Sequence, residues 1–365
     1  MDPVERALIA AKHEEPDKVP FVPAPYSLLF KDFLGVKEME YYFSWKYQIE
    51  GKVAFLKRFP DALLPWSYIS VMPEGGEMGV IATAFGGRIT WMPDAPAWVS
   101  ETPINSPEDV DKILAKGPPD PRKVGESSHL LKGMKYFKDW FPLDIRRRYQ
   151  YVEGNVGLGN PLVEGAALAM GYDKYLIWIY QNPKELHKFV DICTSFYIDY
   201  VEAHVEIVGE PKFYLLMDHM PSFVNSKQFE EFILPYFNRV LDKYSSVLKK
   251  GGLRIWHNEG RVSHMYESID KIHAEVWHFG AFEDIALAKK NTHFCLMGNL
   301  HPPGILLKGK PEEVYQETVR IINLAGEGGG LWISSGGGVA PNTPLENLDA
   351  IIKAIEDHGR YRESW

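Results

Sequence analysis

Several features are scarce in this sequence, and each scarcity excludes a class of protein. Only two cysteines occur, Cys193 and Cys295, and their separation rules out a disulfide framework or a Cys-x-x-Cys pair. The chain lacks an apolar run of the roughly 20 residues that a membrane-spanning helix needs. Residues 1–11 carry acids where a signal peptide would be apolar. No Walker-type loop, dinucleotide fingerprint or Ser-His-Asp order is visible. We therefore expect a cytoplasmic protein with reduced thiols.

Positive charge is scarce as well. The 365 residues carry a formal net charge of −9, and Arg146-Arg147-Arg148 is the only compact basic run. Nucleic-acid binding needs a clustered basic face, so we expect no nucleic-acid partner. Apolar residues make up 45% of the chain and charged ones 24%, a composition typical of a globular protein with a sizeable core. Because no composition shift or repeat divides the sequence, we predict one domain over residues 1–365.

The order of the apolar segments predicts the fold. Eight strand candidates alternate with helical patterns: Val19–Ala24, Ala62–Pro65, Tyr149–Val152, Phe213–Met217, the apolar part of Gly251–Gly260, Ala274–Trp277, Phe294–Met297 and Leu331–Ser334. Such alternation is typical of a parallel sheet, and the chain length favours a closed (β/α)8 barrel over a doubly wound sheet. Val4–Lys12 predicts a helical extension at the N-terminus. Met78–Trp91 predicts a β-hairpin insertion that turns at Gly86-Gly87.

The segment Gly251–Gly260 carries the sharpest chemical signal. It reads GGLRIWHNEG, so a short apolar strand ends directly in His257 and Glu259. Residues two apart on a strand point to the same side. An imidazole and a carboxylate that project together from a strand end make half of a metal site. The alternative is a hydrogen-bonded core histidine beside a glutamate that caps the following helix, and the spacing alone leaves both interpretations open.

Polar residues follow most of the other predicted strands. In a closed barrel the C-terminal strand ends face one bowl, where barrel enzymes keep their chemistry. Those ends supply Tyr26, Trp66, Glu153, Asp218, His219, His278, His301 and the Gly336–Gly338 loop. At least half of this set is expected to bond loop backbone or to cap helices instead.

Some of these residues suit particular roles. Asp218 suits a general acid or a cation ligand, because its apolar strand would bury it. Glu153 suits a base, a metal ligand or the partner of a substrate carboxyl. Gly337 would let a substrate approach the backbone. Trp66 and Trp256 suit either core packing or the wall of a pocket for a flat ring.

Several longer strings resemble one known superfamily. They are AFGGRITWMPDAPAWVSETPINSPEDVDKI, MDHMPSFVNSKQFEEFILPYFNRVLD, GGLRIWHNEG, MGNLHP and SSGGGVAPNTPLENLDAIIKA, in that order. Together they are similar to the uroporphyrinogen decarboxylase superfamily over nearly the whole chain. The resemblance implies a (β/α)8 barrel with its active site in the bowl described above. That superfamily includes porphyrinogen decarboxylases and zinc-dependent corrinoid methyltransferases.

The sequence departs from the pattern of each branch, and its departure from the decarboxylases makes it more similar to the methyltransferases. The decarboxylases carry an arginine-rich motif after the first strand, where this chain reads PFVPAPYSLLF without an arginine. The coenzyme M methyltransferases hold zinc with a His-x-Cys after the fifth strand and a cysteine after the eighth. His257 matches that histidine, but Glu259 stands at the first cysteine and Gly337 near the second. Loss of thiolates leaves the metal a harder Lewis acid, which suits an oxygen ligand.

The resemblance therefore implies a methyltransferase of the O-demethylase type. It would move a methyl group from a methoxylated, aromatic donor to the cob(I)alamin of a partner corrinoid protein. Zinc would be held by His257 and Glu259, with further ligands from His219, His301, Asp218 or Glu153, and a homodimer is compatible with this picture. Tyr26, Trp66, Trp256 and Gly337 would contact the donor. The alternatives are a thiol-directed methyltransferase using methylcobalamin, a decarboxylase in which Asp218 handles the proton, and a corrinoid-binding barrel without activity.

Overall fold

A computed structural model of the chain describes residues 1–25, 27–64, 76–92, 97–148 and 161–361. Its centre is a five-stranded parallel sheet whose strands lie side by side in chain order. The strands are β3 (Phe213–Met217), β4 (Leu253–Asn258), β5 (Val276–Phe279), β6 (Cys295–Leu300) and β7 (Leu331–Ser335). Helices lie between successive strands, so the predicted α/β class with a parallel sheet is confirmed.

Two further segments continue the sheet beyond β7. Phe21 pairs in parallel with Ile333, and the Val22 amide donates to the Ile333 carbonyl at 2.9 Å. The Leu63 amide in turn donates to the Phe21 carbonyl at 3.0 Å. The first two predicted strands therefore follow β7 in space, as a barrel requires. Among the described residues the ring is not closed, and the predicted strand Tyr149–Val152 lies outside them.

The strands are apolar because both faces of the sheet are covered. All residues of β5, β6 and β7 are buried. The alternation along β4 and β5 separates two environments: Trp256 and Trp277 stack with ring centroids 5.4 Å apart on one face. His257 and His278, each one residue further on, are paired in the sheet register and point to the opposite face. The sheet thus brings two histidines together at the ends of neighbouring strands.

The described helices surround this sheet. They are α1 (Pro3–Ala10), α2 (Ser27–Phe30), α3 (Glu38–Tyr42), α4 (Trp45–Arg58), α5 (Val80–Ala84), α6 (Pro107–Lys116), α7 (Gly125–Trp140), α8 (Leu143–Arg148), α9 (Val163–Met170), α10 (Tyr172–Gln181), α11 (Pro183–Val208), α12 (Ser226–Phe232), α13 (Leu234–Val247), α14 (Tyr266–Ile269), α15 (Ile285–Asn291), α16 (Pro311–Ala325) and α17 (Leu345–His358). None of the helices within these described ranges is long and apolar enough to cross a membrane.

The predicted hairpin over Met78–Trp91 is wrong in its position. Val80–Ala84 is the helix α5, and the antiparallel pair lies later, between β1 (Arg88–Thr90) and β2 (Trp98–Glu101). Gly86-Gly87 ends the helix instead of turning a hairpin. The Gly87 amide donates back to the Ala82 carbonyl at 2.7 Å, and Gly86 has a φ of +98°. A positive φ serves a helix C-terminus and a hairpin turn equally well, which is why the sequence pattern misled.

Candidate metal centre

Three side chains meet at the C-terminal edge of the sheet. The Nε2 atom of His257 lies 3.3 Å from Nε2 of His219 and 3.3 Å from Oε1 of Glu259. One ligand atom from each residue falls within 4.8 Å of the other two. Two imidazoles and a carboxylate at this separation are a set of ligands that can hold one metal ion.

The local chain path explains why these three residues meet. His257 lies in β4 and Glu259 follows that strand, so the period of two directs both side chains to the same side. His219 follows the adjacent strand β3 and begins a 3₁₀ turn over Met220–Phe223. His257 is 4% exposed, whereas the side chains of His219 and Glu259 are 25% and 38% exposed. The cluster is therefore buried at His257 and exposed to solvent at His219 and Glu259.

Glu164 of α9 fixes the orientation of His219. Its Oε2 atom accepts from the His219 backbone amide at 3.0 Å and from His219 Nδ1 at 2.8 Å. Its Oε1 atom accepts from the hydroxyl of Tyr172. Because Nδ1 carries the hydrogen donated to Glu164, His219 presents Nε2 to the cluster. Carboxylates that bond metal-ligating histidines in this way set the ring orientation and raise the basicity of the ligand.

The charges of the cluster favour a cation between its three atoms. Burial alone would lower the pKa of His219, but its bond to Glu164 outweighs burial and raises that pKa. Burial would raise the pKa of Glu259, yet the adjacent His257 and the other nearby histidines hold it at about 2. Burial lowers the pKa of His257, so that ring stays neutral. Two ring nitrogens and a carboxylate oxygen that face one another need a shared proton or a metal ion, so these residues fit a divalent cation.

Gly337 packs directly against the carboxylate of Glu259. It follows β7 with a φ of +119°, a backbone conformation that favours glycine. A Cβ atom at this position would lie 2.7 Å from Cδ and Oε1 of Glu259 and 2.8 Å from Oε2. The glutamate thus occupies the space that a side chain at position 337 would fill. The structure places Gly337 beside a candidate ligand, whereas its predicted contact with a substrate stays a prediction.

Asp218 is buried beside the cluster and bonds to backbone. Its Oδ2 atom accepts from the amides of Leu162, Val163 and Glu164 at 3.2, 2.7 and 2.9 Å, and Oδ1 accepts from the Met220 amide at 3.1 Å. It therefore caps α9 from outside that helix. Burial and the charge of Glu164 raise the pKa of Asp218 to about 7, and the amide donors oppose that rise. Its predicted catalytic role stays a prediction beside this structural one.

Other predicted site residues lie elsewhere. The Trp256 ring is fully buried against Trp277 and Phe294, on the face of the sheet opposite His257, so it packs the core rather than lining the cluster. His301 contacts the exposed ring of Phe282 at 5.1 Å between centroids and is not part of the three-residue group. Tyr26, Trp66 and Glu153 lie outside the described residues.

Two residues around the cluster were not assigned a role from the sequence. Glu164 was missed, although it is the one charged residue in the apolar stretch LVEGAALAM, which is a signal that the helix buries it for a purpose. His278 was noted only as a residue near a strand end. Its Nδ1 atom lies 2.6 Å from Nδ1 of His257, on the side of the ring away from the cluster.

Comparisons with known proteins agree with the architecture. The family model described as uroporphyrinogen decarboxylase (URO-D) matches residues 2–358, so this chain belongs to that family of enzymes. It is 25% identical over 328 residues to the uroporphyrinogen decarboxylase of Serratia proteamaculans, covering 84% of this chain and 82% of that protein. It is 24% identical over 323 residues to that of Danio rerio, covering 84% and 79%.

A solved structure resembles the fold. The chain superimposes on a methyltransferase from Methanosarcina mazei with a TM-score of 0.75 and 20% sequence identity, covering 98% of this chain and 99% of that one. At this identity the likeness establishes a shared fold.

Proposed function

We propose that this protein is a metal-dependent methyltransferase that moves a methyl group from a methoxylated aromatic donor to the cob(I)alamin of a separate corrinoid protein. The carrying observation is the group formed by His219, His257 and Glu259, which contains two imidazoles, one carboxylate and no thiolate. The likeness to a methyltransferase fold supports the reaction class. The same likeness, with the strand order beyond β7, supports a closed (β/α)8 barrel.

The ligand set favours an oxygen substrate over a sulfur one. Two neutral imidazoles and one carboxylate leave a divalent cation with a formal charge of +1, whereas two thiolates and one imidazole would leave it neutral. Cys193 is buried in α11, and Cys295 lies at the start of β6, at the end of the sheet opposite the cluster. When bound, zinc would supply Lewis acidity toward the ether oxygen of the donor.

The chain's own residues would prepare that encounter. Glu164 holds the His219 ring, and Gly337 leaves room for Glu259. The partly exposed side of the cluster admits the donor, and buried His257 closes the other side. In the transfer, the methyl–oxygen bond breaks and the oxygen keeps that electron pair. Cobalt(I) supplies the pair for the new cobalt–carbon bond and becomes cobalt(III), and the aryl oxide takes a proton from water.

A decarboxylase is the reaction that the names of the relatives suggest. It would need cationic groups for the acid it acts on, and PFVPAPYSLLF supplies no arginine for a polycarboxylate. Asp218, the residue predicted to handle the proton, has both carboxylate oxygens bonded to backbone amides. These two features favour the methyltransferase.

Metal analysis of the purified protein tests the site. We expect about one zinc per chain in the wild type, and loss of it in His257→Ala and Glu259→Gln because each removes one of three ligands. His301→Ala is the matched control, since His301 lies outside the group. Zinc retained by both site variants would refute the proposed centre.

A second assay tests the reaction. The wild type is incubated with cob(I)alamin and a panel of methoxyaromatics, methylamines and thiols, and formation of methylcobalamin is followed by its absorption spectrum. Turnover of a methoxyaromatic supports the proposal. Release of CO₂ from a carboxylated substrate without any corrinoid would instead establish the decarboxylase.

A further inference from the structure

A second buried histidine, His278, contacts His257 on the side of the ring away from the metal centre. His278 lies in β5, paired with His257 of β4, and is 1% exposed. Its Nδ1 atom is 2.6 Å from Nδ1 of His257, and its Nε2 atom is 2.9 Å from the carbonyl oxygen of Ser335 in β7. A chain of hydrogen bonds therefore runs from the backbone of β7, through His278, to Nδ1 of His257.

The hydrogens in this chain can be placed by elimination. A carbonyl oxygen has no hydrogen, so Nε2–H of His278 must donate to Ser335. A neutral imidazole carries one ring hydrogen, which leaves Nδ1 of His278 as an acceptor. The 2.6 Å bond to His257 then requires that Nδ1 of His257 donates. Nε2 of His257 consequently carries no hydrogen, and its lone pair faces His219 and Glu259.

The reverse arrangement would place an ion in the sheet interior. If Nδ1 of His257 accepted, His278 would have to donate from both nitrogens and would become an imidazolium. His278 is 1% exposed, and burying a charged ring costs far more free energy than burying a neutral one. The neutral pair with the hydrogen on Nδ1 of His257 is therefore the favoured state.

Without His278, the cluster itself would favour the wrong tautomer. Oε1 of Glu259 lies 3.3 Å from Nε2 of His257 and is an acceptor for a hydrogen on that nitrogen. A hydrogen held there would block the lone pair that a metal needs. The acceptor on the other side of the ring, Nδ1 of His278, lies closer, at 2.6 Å against 3.3 Å, and this shorter bond keeps the hydrogen on Nδ1 of His257.

We propose that His278 is a positioning residue that fixes the tautomer of His257, so that Nε2 is free to bind the metal ion. The role of this lone pair in metal binding rests on the proposed function. The tautomer of His257, however, can be measured in the metal-free protein. His278 thus supports a ligand without being one. Because it donates to the backbone carbonyl of Ser335, its orientation depends on the register of β4, β5 and β7.

Two substitutions at position 278 distinguish the effect of losing the hydrogen-bond acceptor from the effect of losing the ring. His278→Leu removes both nitrogens. His278→Asn places an amide oxygen near the position of Nδ1, where it can still accept from His257. His204→Leu is the control for loss of a buried histidine, because His204 is fully buried in α11 and bonds Tyr214 at 3.0 Å, away from the cluster.

The first readout is the ¹⁵N chemical shift of the His257 ring in metal-free protein. We expect a hydrogen on Nδ1 in the wild type, in His278→Asn and in His204→Leu, and a shift toward the Nε2–H form in His278→Leu. The second readout is zinc affinity from competition with a chelator. Loss of a partner behind a ligand weakens binding by about 10–100-fold, so we expect that loss in His278→Leu and recovery of most of it in His278→Asn.

The outcomes distinguish this inference from the proposed function. An Nε2–H tautomer of His257 in the metal-free wild type would overturn the inference, even if no variant folds. Unchanged tautomer and zinc affinity in His278→Leu would overturn it as well. A wild type that binds no zinc would instead remove the proposed function, while the ¹⁵N shifts would still decide the tautomer.

Discussion

Gly337→Ala is predicted to weaken metal binding although it replaces no candidate ligand. The added Cβ atom would lie 2.7 Å from Oε1 of Glu259, whereas ordinary contacts begin at 3.4 Å. The carboxylate would have to retreat by the difference, 3.4 − 2.7 = 0.7 Å. Metal–ligand distances tolerate only about 0.2 Å. The alanine therefore removes Glu259 from the ligand set.

The expected loss follows from the strength of one ligand. A structural zinc site of four ligands binds with about 10–16 kcal/mol, so one ligand contributes roughly 3 kcal/mol. Since 1.4 kcal/mol is a factor of ten, zinc affinity should fall about 100-fold. The assay is competition with a chromophoric chelator, alongside denaturant unfolding of the metal-free protein.

Backbone strain needs its own control, because alanine is disfavoured at a φ of +119°. Gly86→Ala supplies it: Gly86 has a φ of +98° and no atom within 4 Å of an added Cβ. Both variants should lose about 1–3 kcal/mol of unfolding free energy from strain, but only Gly337→Ala should lose zinc. Wild-type zinc affinity in Gly337→Ala, at the same stability as Gly86→Ala, would refute the steric argument.

Two other substitutions address the residues around the cluster. Glu164→Gln removes the charge that holds His219 at 2.8 Å while keeping the side-chain size, and zinc affinity in the chelator assay should fall by about 10–100-fold; equal affinity would leave Glu164 only a structural role. Asp218→Asn exchanges one acceptor oxygen for a donor that faces a backbone amide, so urea unfolding should show a loss of about 1–3 kcal/mol. Zinc affinity should stay unchanged in that variant, and a large loss of metal would show that Asp218 is more than a helix cap.

Much of the fold could be predicted from the sequence because the ends of its apolar runs coincide with the ends of strands. Phe213–Met217 is predicted with the bounds that the structure shows, because it is an apolar run that the sheet buries on both faces. The hairpin failed for the opposite reason. Gly86-Gly87 is compatible with a helix end or a turn, and α5 is held as a helix by its packing against α9 and α7.

The candidate site could be predicted in part, and the limit is geometric. His257 and Glu259 were paired from the period of two, which holds within any strand. His219 and His301 looked alike in the sequence, since each follows an apolar strand. Their positions differ in the structure. His219 follows β3, which adjoins β4, whereas His301 follows β6, which lies two strands from β4. The predicted barrel already implies this strand order, so what the sequence does not state is where each loop holds its histidine.

The residues behind the ligands were harder to find because their role depends on hydrogens rather than on residue type. Two neighbouring neutral histidines do not form the pair of opposite charges that would mark a site in the sequence. The acceptor that orients His278 is a backbone carbonyl, which every residue possesses. The consequence for the two metal-facing rings is nevertheless the same. Nδ1–H of His219 donates to Glu164 and Nδ1–H of His257 donates to His278, so both rings present Nε2 to the cluster. Removing either acceptor frees a hydrogen to compete with the metal, and the two losses should therefore be similar in size although one acceptor is charged and the other neutral.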